Sequence, residues 1–471
     1  MFRMWYTLTR AQRGLLVKRL RRRPLTAETG VRFPYGSPKS AGLPALFLFL
    51  KIIFTGDFKM ALRGNAIVGQ SGGPTAAINA TLSGVIRGAL ANENIDTIYG
   101  MYHGIEGILN DNFCNLTQMF EDESKLVTLE KTPAAALGSC RKKLPALENM
   151  SEKDEAVYEK VFSFFKEHDI RYFFYIGGND SMDTVAKLTA YSKTHDYEMR
   201  IMGVPKTIDN DVMGTDHTPG YGSAAKYIAA SVSEMLRDCA VYTVKAVTII
   251  EIMGRDAGWL TAAAALTRVS GFEPDLVYLP ERVFDYEEFF ADVNAALEKH
   301  PNVVVCVSEG IRLADGRYVG EGTQSGVADA FGHKYLSGTG KALELAVKER
   351  IGCKVRSVEL NILQRCASHI ASLTDINESV MVGKAAVETA VSGISGKMMT
   401  FVRTSEAPYT CVPGYEDIEK IANKVREVPA SFINERGNGI TDEGVKYLLP
   451  LIEGESYPEY ENGLPVFLSL K

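Results

Sequence analysis

Cysteine is scarce in this sequence and shows no pairing pattern. Seven are scattered over 471 residues, at Cys114, Cys140, Cys239, Cys306, Cys353, Cys366 and Cys411. Their number is odd and no Cys-x-x-Cys occurs, so neither a disulfide framework nor a thiolate metal site is indicated. Reduced thiols in a cytoplasmic protein are expected. Long hydrophobic runs are lacking too. The stretch from Leu43 to Phe54 is broken by Lys51, and nothing approaches the roughly 20 apolar residues that span a bilayer, so no membrane partner is expected. Positive charge is not in excess: 52 Lys and Arg stand against 58 Asp and Glu, a net charge of −6, which argues against nucleic acid as the main partner. Short internal repeats and low-complexity tracts are absent.

What is present is ordinary for a globular enzyme of more than one domain, with 46% hydrophobic and 23% charged residues. The start is the exception. Residues 1–60 hold twelve Lys or Arg but only two acids, Glu28 and Asp57, for a net charge of +10, so the remainder carries −16. An Arg-rich start without acids resembles an organelle transit peptide. The preferred reading is a basic N-terminal extension over 1–59 that takes no part in the fold, because Met60 stands just before a clean globular start.

From there, short apolar runs end abruptly in small or polar residues. Ala66–Val68, Tyr172–Ile176, Ile201–Val204, Ala246–Met253, Val303–Val307 and Val355–Leu363 do not alternate, as strands buried on both faces do not. Amphipathic helical stretches over Thr75–Leu90, Ser181–Ser192 and Gly222–Arg237 follow the first three. The repeated strand-loop-helix order predicts an α/β doubly wound fold, in which ligands bind at the carboxyl ends of the strands.

Six loops stand at those ends. Gly72-Gly73, before Pro74-Thr75, lets backbone N–H groups approach a phosphate at a helix start; a tight turn needing positive φ is the alternative. Asn179-Asp180-Ser181 after Gly177-Gly178 supplies either a helix cap or hard oxygen ligands for Mg²⁺. Lys206-Thr207-Ile208-Asp209-Asn210-Asp211 sets two carboxylates beside a lysine, where one could serve as general base and the lysine could neutralise a moving phosphoryl group; a charged, self-capped turn is the plainer reading. Arg255 in Met253-Gly254-Arg255 could clamp phosphate, or pair with Asp256 at the surface. Glu309 could accept hydrogen bonds from sugar hydroxyls. Arg356 and Arg365 bracket the last run, and alone are as readily solvated as bound to phosphate.

Taken in order, these loops resemble the phosphofructokinase family, from about Ala66 to Arg365 and more weakly towards Arg403. The resemblance implies two doubly wound, Rossmann-like three-layer domains: 60–235 with about 370–445 for the donor phosphate and Mg²⁺, 236–369 for the sugar phosphate, and a C-terminal tail over 446–471. It implies that Gly73 meets the donor phosphate, with Gly72 beside it and Arg141 on the same side. Asn179 stands where the family usually has a magnesium-binding aspartate. Asp209 matches the general base acting on the 1-hydroxyl of fructose 6-phosphate, with Thr207, Ile208 and Asp211 around it. Met253, Gly254 and Arg255 match the group contacting that sugar and the phosphoryl group, Glu309 a sugar-hydroxyl ligand, and Arg356 and Arg365 ligands of the 6-phosphate. Cys366-Ala367 stand where two glycines are common, Ile362 where a histidine is common, and Ser83 where allosteric bacterial members carry an effector-binding arginine.

The donor rests on Asp180 and Lys206, where ATP-using members usually have glycine. A carboxylate at 180 fills the room of a nucleotide α-phosphate and adds like charge. The lysine at 206 can take over neutralisation of a bare pyrophosphate. The resemblance thus implies Mg²⁺-dependent, reversible transfer from pyrophosphate to fructose 6-phosphate by a homodimer or homotetramer, with Lys245 a candidate for donation to a neighbouring subunit. The alternatives are an ATP-dependent enzyme of the same family and a non-catalytic regulatory subunit.

Overall fold

The computed structural model describes residues 61–195, 197–321, 338–422 and 424–470, so the basic extension over 1–59 lies outside the described residues. Five strands form in the first part of the chain: β1 (Gly64–Gln70), β2 (Ile95–Met101), β3 (Phe113–Asn115), β4 (Ile170–Gly177) and β5 (Arg200–Pro205). Four more follow as β6 (Ala246–Ile252), β7 (Leu276–Tyr278), β8 (Asn302–Ser308) and β9 (Lys354–Glu359). After a two-residue β10 (Ala371–Ser372), the hairpin β11 (Lys397–Glu406) and β12 (Tyr409–Asp417) returns to the first group. The longer helices are α1 (Ile78–Leu90), α2 (Glu152–Glu167), α3 (Asn179–Ser192), α4 (Tyr221–Ala240), α5 (Tyr286–Lys299), α6 (Thr339–Arg350) and α7 (Leu373–Val391).

Among the described residues, and apart from two small two-stranded pairings, the strands form a seven-stranded sheet ordered β12-β11-β5-β4-β1-β2-β3 and a four-stranded one ordered β7-β8-β6-β9. The smaller is wholly parallel. In the larger, β3 and β12 at the edges run antiparallel to their neighbours.

The non-alternating runs are explained by cover on both faces. On β4, Tyr172, Phe174 and Ile176 join residues of α1 and α7, while Phe173 and Tyr175 join α2 and α3. On β6, Ile250 and Ile252 pack with α4, whereas Val247 and Ile249 pack with α5 and α6. Each such side chain contributes about 1.5–3 kcal/mol by leaving water. Both sheets are thus three-layer, and the expected α/β doubly wound class is what forms.

Local chemistry sets the helix ends. Ser151 accepts from Asp154 N and Asp154 reaches back to the Ser151 amide, a capping box that starts α2. The stretch expected from Thr75 becomes helical only at Ile78, because the Thr75 hydroxyl accepts from Ile78 N at 3.0 Å and caps from outside. The run expected to extend through Leu363 stops being strand at Glu359. Asn361, at φ 40°, turns the chain into a 3₁₀ turn over Asn361–Gln364.

Sheet order fixes where a ligand can lie. β1 sits between β2 and β4, and β6 between β8 and β9, so the winding reverses beside each. Clefts outside the carboxyl ends open at such points. Among the described residues, no helix is long and apolar enough to cross a membrane.

Candidate active site

Three cations gather where β1, β4 and β5 end. Lys206 is 3% exposed. Its backbone N donates to Gly177 O at 2.9 Å and its Nζ to Gly73 O at 2.7 Å, tying the three strand ends together. Gly72 has φ 79°, and a Cβ there would lie 3.1 Å from Lys206 Nζ. A Cβ on Gly73 would meet Arg365 Nη2 at 2.6 Å. The glycine pair is therefore what admits both cations to the backbone. Arg141 follows Cys140, whose carbonyl accepts from Gly72 N at 3.3 Å. Burial first, then the like charges of Arg365 and Arg141, push Lys206 down to about 8, with Asp209 and Asp211 opposing. Such a cluster calls for an anion.

Two carboxylates face it. Asp209 N donates to Thr207 Oγ1 at 3.1 Å, and that hydroxyl donates to Asp209 Oδ2 at 3.3 Å. Asp209 and Asp211 keep some open surface but are densely enclosed. Burial raises Asp209, against the pull of Lys206, Thr207, Arg365 and Arg255. Burial and the charge of Asp209 push Asp211 up to about 7. Between them, Asn210 is wholly buried at φ 53°. Ile208 drops its side chain into the core beside α4, so its place in the site is main-chain only.

At the end of β4, Asn179 Nδ2 donates to Asp211 Oδ2 at 3.4 Å, while Asn179 Oδ1 is buried without a partner. Asp180, one residue on, forms an ion pair with Lys143 at 2.9 Å and stays partly exposed. Lys143 was not foreseen; the basic run Arg141-Lys142-Lys143 is the signal that could have singled it out.

The smaller sheet supplies the other wall. Gly254 N donates to Glu309 Oε1 at 3.3 Å, joining the ends of β6 and β8. Burial, reinforced by Asp209 and Glu251, pushes Glu309 up to about 8. Arg255 Nε is buried with no hydrogen-bond partner, and Asp256 pairs instead with Arg312 at 2.9 Å. Met253 packs half-buried against the core.

Gly72, Gly73, Arg141, Asn179, Lys206, Thr207, Asp209, Arg255, Glu309 and Arg365 thus lie in one electrostatically connected region. Arg356 does not join it. It is exposed on the edge strand β9, paired in register with Thr248, five residues before Met253, or about 16 Å along a strand. Lys245, just before β6, lies at that same far end, where its charge acts on Cys353.

A doubly wound frame in which a buried lysine and flanking arginines face partly buried carboxylates at the strand ends is that of an enzyme handling phosphorylated substrates. The sequence profile described as Phosphofructokinase matches residues 65–390. The pyrophosphate–fructose 6-phosphate 1-phosphotransferase of Methylococcus capsulatus is 43% identical over 415 residues, covering 87% of this chain and 96% of that protein. The protein of the same name from Halomonas elongata is 41% identical over 407 residues, covering 85% and 94%. The crystal structure of a pyrophosphate-dependent phosphofructokinase from Nitrosospira multiformis superposes with a TM-score of 0.77 at 40% identity, covering 87% of this chain and 96% of that one. This chain belongs to the phosphofructokinase family.

Proposed function

We propose that this protein transfers a phosphoryl group reversibly between pyrophosphate and the 1-hydroxyl of fructose 6-phosphate, forming fructose 1,6-bisphosphate and phosphate. The observation that carries the reading is Lys206, buried and bonded to Gly73 O at 2.7 Å, at the position where the ATP-using branch usually has glycine. The names of the relatives support it.

In this reading Asp209 takes the proton of the 1-hydroxyl onto its carboxylate as the oxygen attacks the terminal phosphorus. The P–O–P bond breaks and phosphate leaves. Lys206, Arg255, Arg141 and the Gly72-Gly73 backbone hold the phosphates in line, and Arg365 adds charge at the same loop. Glu309, Thr207, Met253 and Gly254 orient the sugar. Asp180 leaves room for two linked phosphates and none for a nucleoside tail.

Mg²⁺ fits the donors present. The orphaned Asn179 Oδ1 and the partly buried carboxylate oxygens of Asp209 and Asp211 are hard oxygen ligands, and burial disfavours the charge of the two carboxylates. These three residues would hold the ion. When bound, it would supply neutralisation of charge on the transferring oxygens.

A homo-oligomer is part of the proposal, because Arg356 and Lys245 lie at an exposed edge far from the cluster and are placed to serve a neighbouring copy. A cytoplasmic location is proposed from the seven free cysteines. The division into a donor domain (60–235 with about 370–445), a sugar-phosphate domain (236–369) and a tail (446–471) is likewise proposed.

The test is a donor comparison. Purified protein is assayed with fructose 6-phosphate and Mg²⁺, using pyrophosphate or ATP. Turnover with pyrophosphate alone is expected. Turnover with ATP alone would overturn the donor, and none with either would overturn catalysis by this chain.

A further inference from the structure

The segment after the carboxylate loop is held by a buried ionic network with no assigned role. His217 is 2% exposed. It donates from Nδ1 to Asp216 Oδ1 at 2.8 Å and from Nε2 to Glu378 Oε2 at 2.7 Å. With a carboxylate oxygen on each ring nitrogen, both must carry hydrogen, so the ring is an imidazolium. Asp216 also accepts from Arg403 Nε at 3.2 Å and Nη2 at 3.1 Å, and Glu378 accepts from Tyr409 OH at 2.9 Å. Phe401 stacks on the imidazole at 4.6 Å. His217, Glu378 and Cys411 bring possible metal-ligand atoms within 4.8 Å of one another. Both ring nitrogens are already engaged, so the ion pairs account for the cluster without a metal.

This network grips the loop 207–211 on both sides of Asp209. On one side, Thr218 Oγ1 donates to Thr207 O at 2.8 Å. On the other, Tyr447 OH donates to Asp216 O at 2.6 Å and accepts from Arg426 Nη2 at 3.0 Å. Arg426 then donates from Nη1 to Asn210 O at 3.3 Å and from its backbone N to Asp211 O at 2.8 Å. Its guanidinium lies 4.1 Å over the Trp259 ring, whose Nε1 donates to Arg426 O at 2.9 Å. Within the loop only Thr207 and Asp209 bond to each other, and the side-chain amide of Asn210 is buried with neither its nitrogen nor its oxygen bonded.

We infer that His217, acting through Asp216, Tyr447 and Arg426, positions the loop 207–211 and with it the Asp209 carboxylate. These are positioning residues, and the inference rests on the reading of Asp209 as the base. Geometry of this kind should act on turnover more than on substrate capture.

Tyr447→Phe tests it, because it removes only the hydroxyl joining Asp216 to Arg426 and leaves the ring in the core. Turnover with pyrophosphate, fructose 6-phosphate and Mg²⁺ is measured alongside the thermal midpoint and amide hydrogen exchange over 207–211. The expected result is kcat lowered about tenfold, both KM values within twofold, a midpoint within a few degrees and faster exchange confined to that loop. His217→Gln should lower kcat further. Adding Tyr447→Phe to His217→Gln should lower it no more, since both act through one chain of contacts. Unchanged kcat, unchanged exchange, or strictly additive effects would overturn the inference. The exchange measurement decides it even where pyrophosphate gives no turnover, a result that would count against the proposed reaction instead.

Discussion

Lys206 Nζ donates to the carbonyl oxygen of Gly73 at 2.7 Å, so a buried ammonium bridges the ends of β5 and β1 over the end of β4. One of its hydrogens fixes the glycine loop, and in the proposed reaction the others meet phosphate. Lys206→Ala should therefore cost about 10²–10³ in kcat, the range for removing one preorganised donor from a developing charge. Steady-state rates at saturating pyrophosphate check this. A loss below threefold would take Lys206 out of the reaction.

Asp209→Ala should cut kcat by orders of magnitude without lowering the thermal midpoint. Burial already raises Asp209 above the usual carboxylate range, so its charge costs stability in the fold. Paired rate and melting measurements distinguish this from general damage. A variant of near-normal rate would remove Asp209 from the mechanism.

Asp180→Gly together with Lys206→Gly should raise the ratio of kcat/KM for ATP to that for pyrophosphate by at least about tenfold, since the like charge and bulk of Asp180 against the nucleotide are removed along with the cation that serves pyrophosphate. Asp180 pairs with Lys143 in a partly exposed ion pair, so its loss should cost at most about 1 kcal/mol of stability. An unchanged ratio from the two assays would show that donor choice lies elsewhere.

His217 gives stability a pH dependence. Burial opposes its charge, but Glu378 and Asp216 overcome that and raise it from 6.5 to about 9. A group that binds its proton more tightly when folded stabilises fully below its unfolded value, near pH 6.5, and loses that contribution as pH rises through about 9. The thermal midpoint should fall across this window by several degrees more in the parent protein than in His217→Gln. Parallel slopes in calorimetry would contradict the assignment.

Much of this was legible in the sequence for a physical reason. Strands covered on both faces write continuous apolar runs, and β4 and β6 are such strands; their ends locate the loops. The hairpin β11–β12 was not legible, because its exposed edge carries no such run. Nor was α7, whose Asp375 and Glu378 are buried by partners distant in sequence: Asp375 accepts from Gly220 N at 2.8 Å and Glu378 from His217. The pairing of Asp256 with Arg312 rather than with its neighbour Arg255 is a long-range choice that adjacency does not reveal. Arg426 escaped for the same reason, lying 216 residues from the Asn210 carbonyl it contacts.

Lys206 is rooted at the end of β5, among the layers of the larger sheet, whereas Ile208 is embedded in the core that underlies the smaller one. A single residue, Thr207, spans that divide. The handover from one packed core to the other is therefore completed within three residues that include the buried ammonium and lead straight to Asp209.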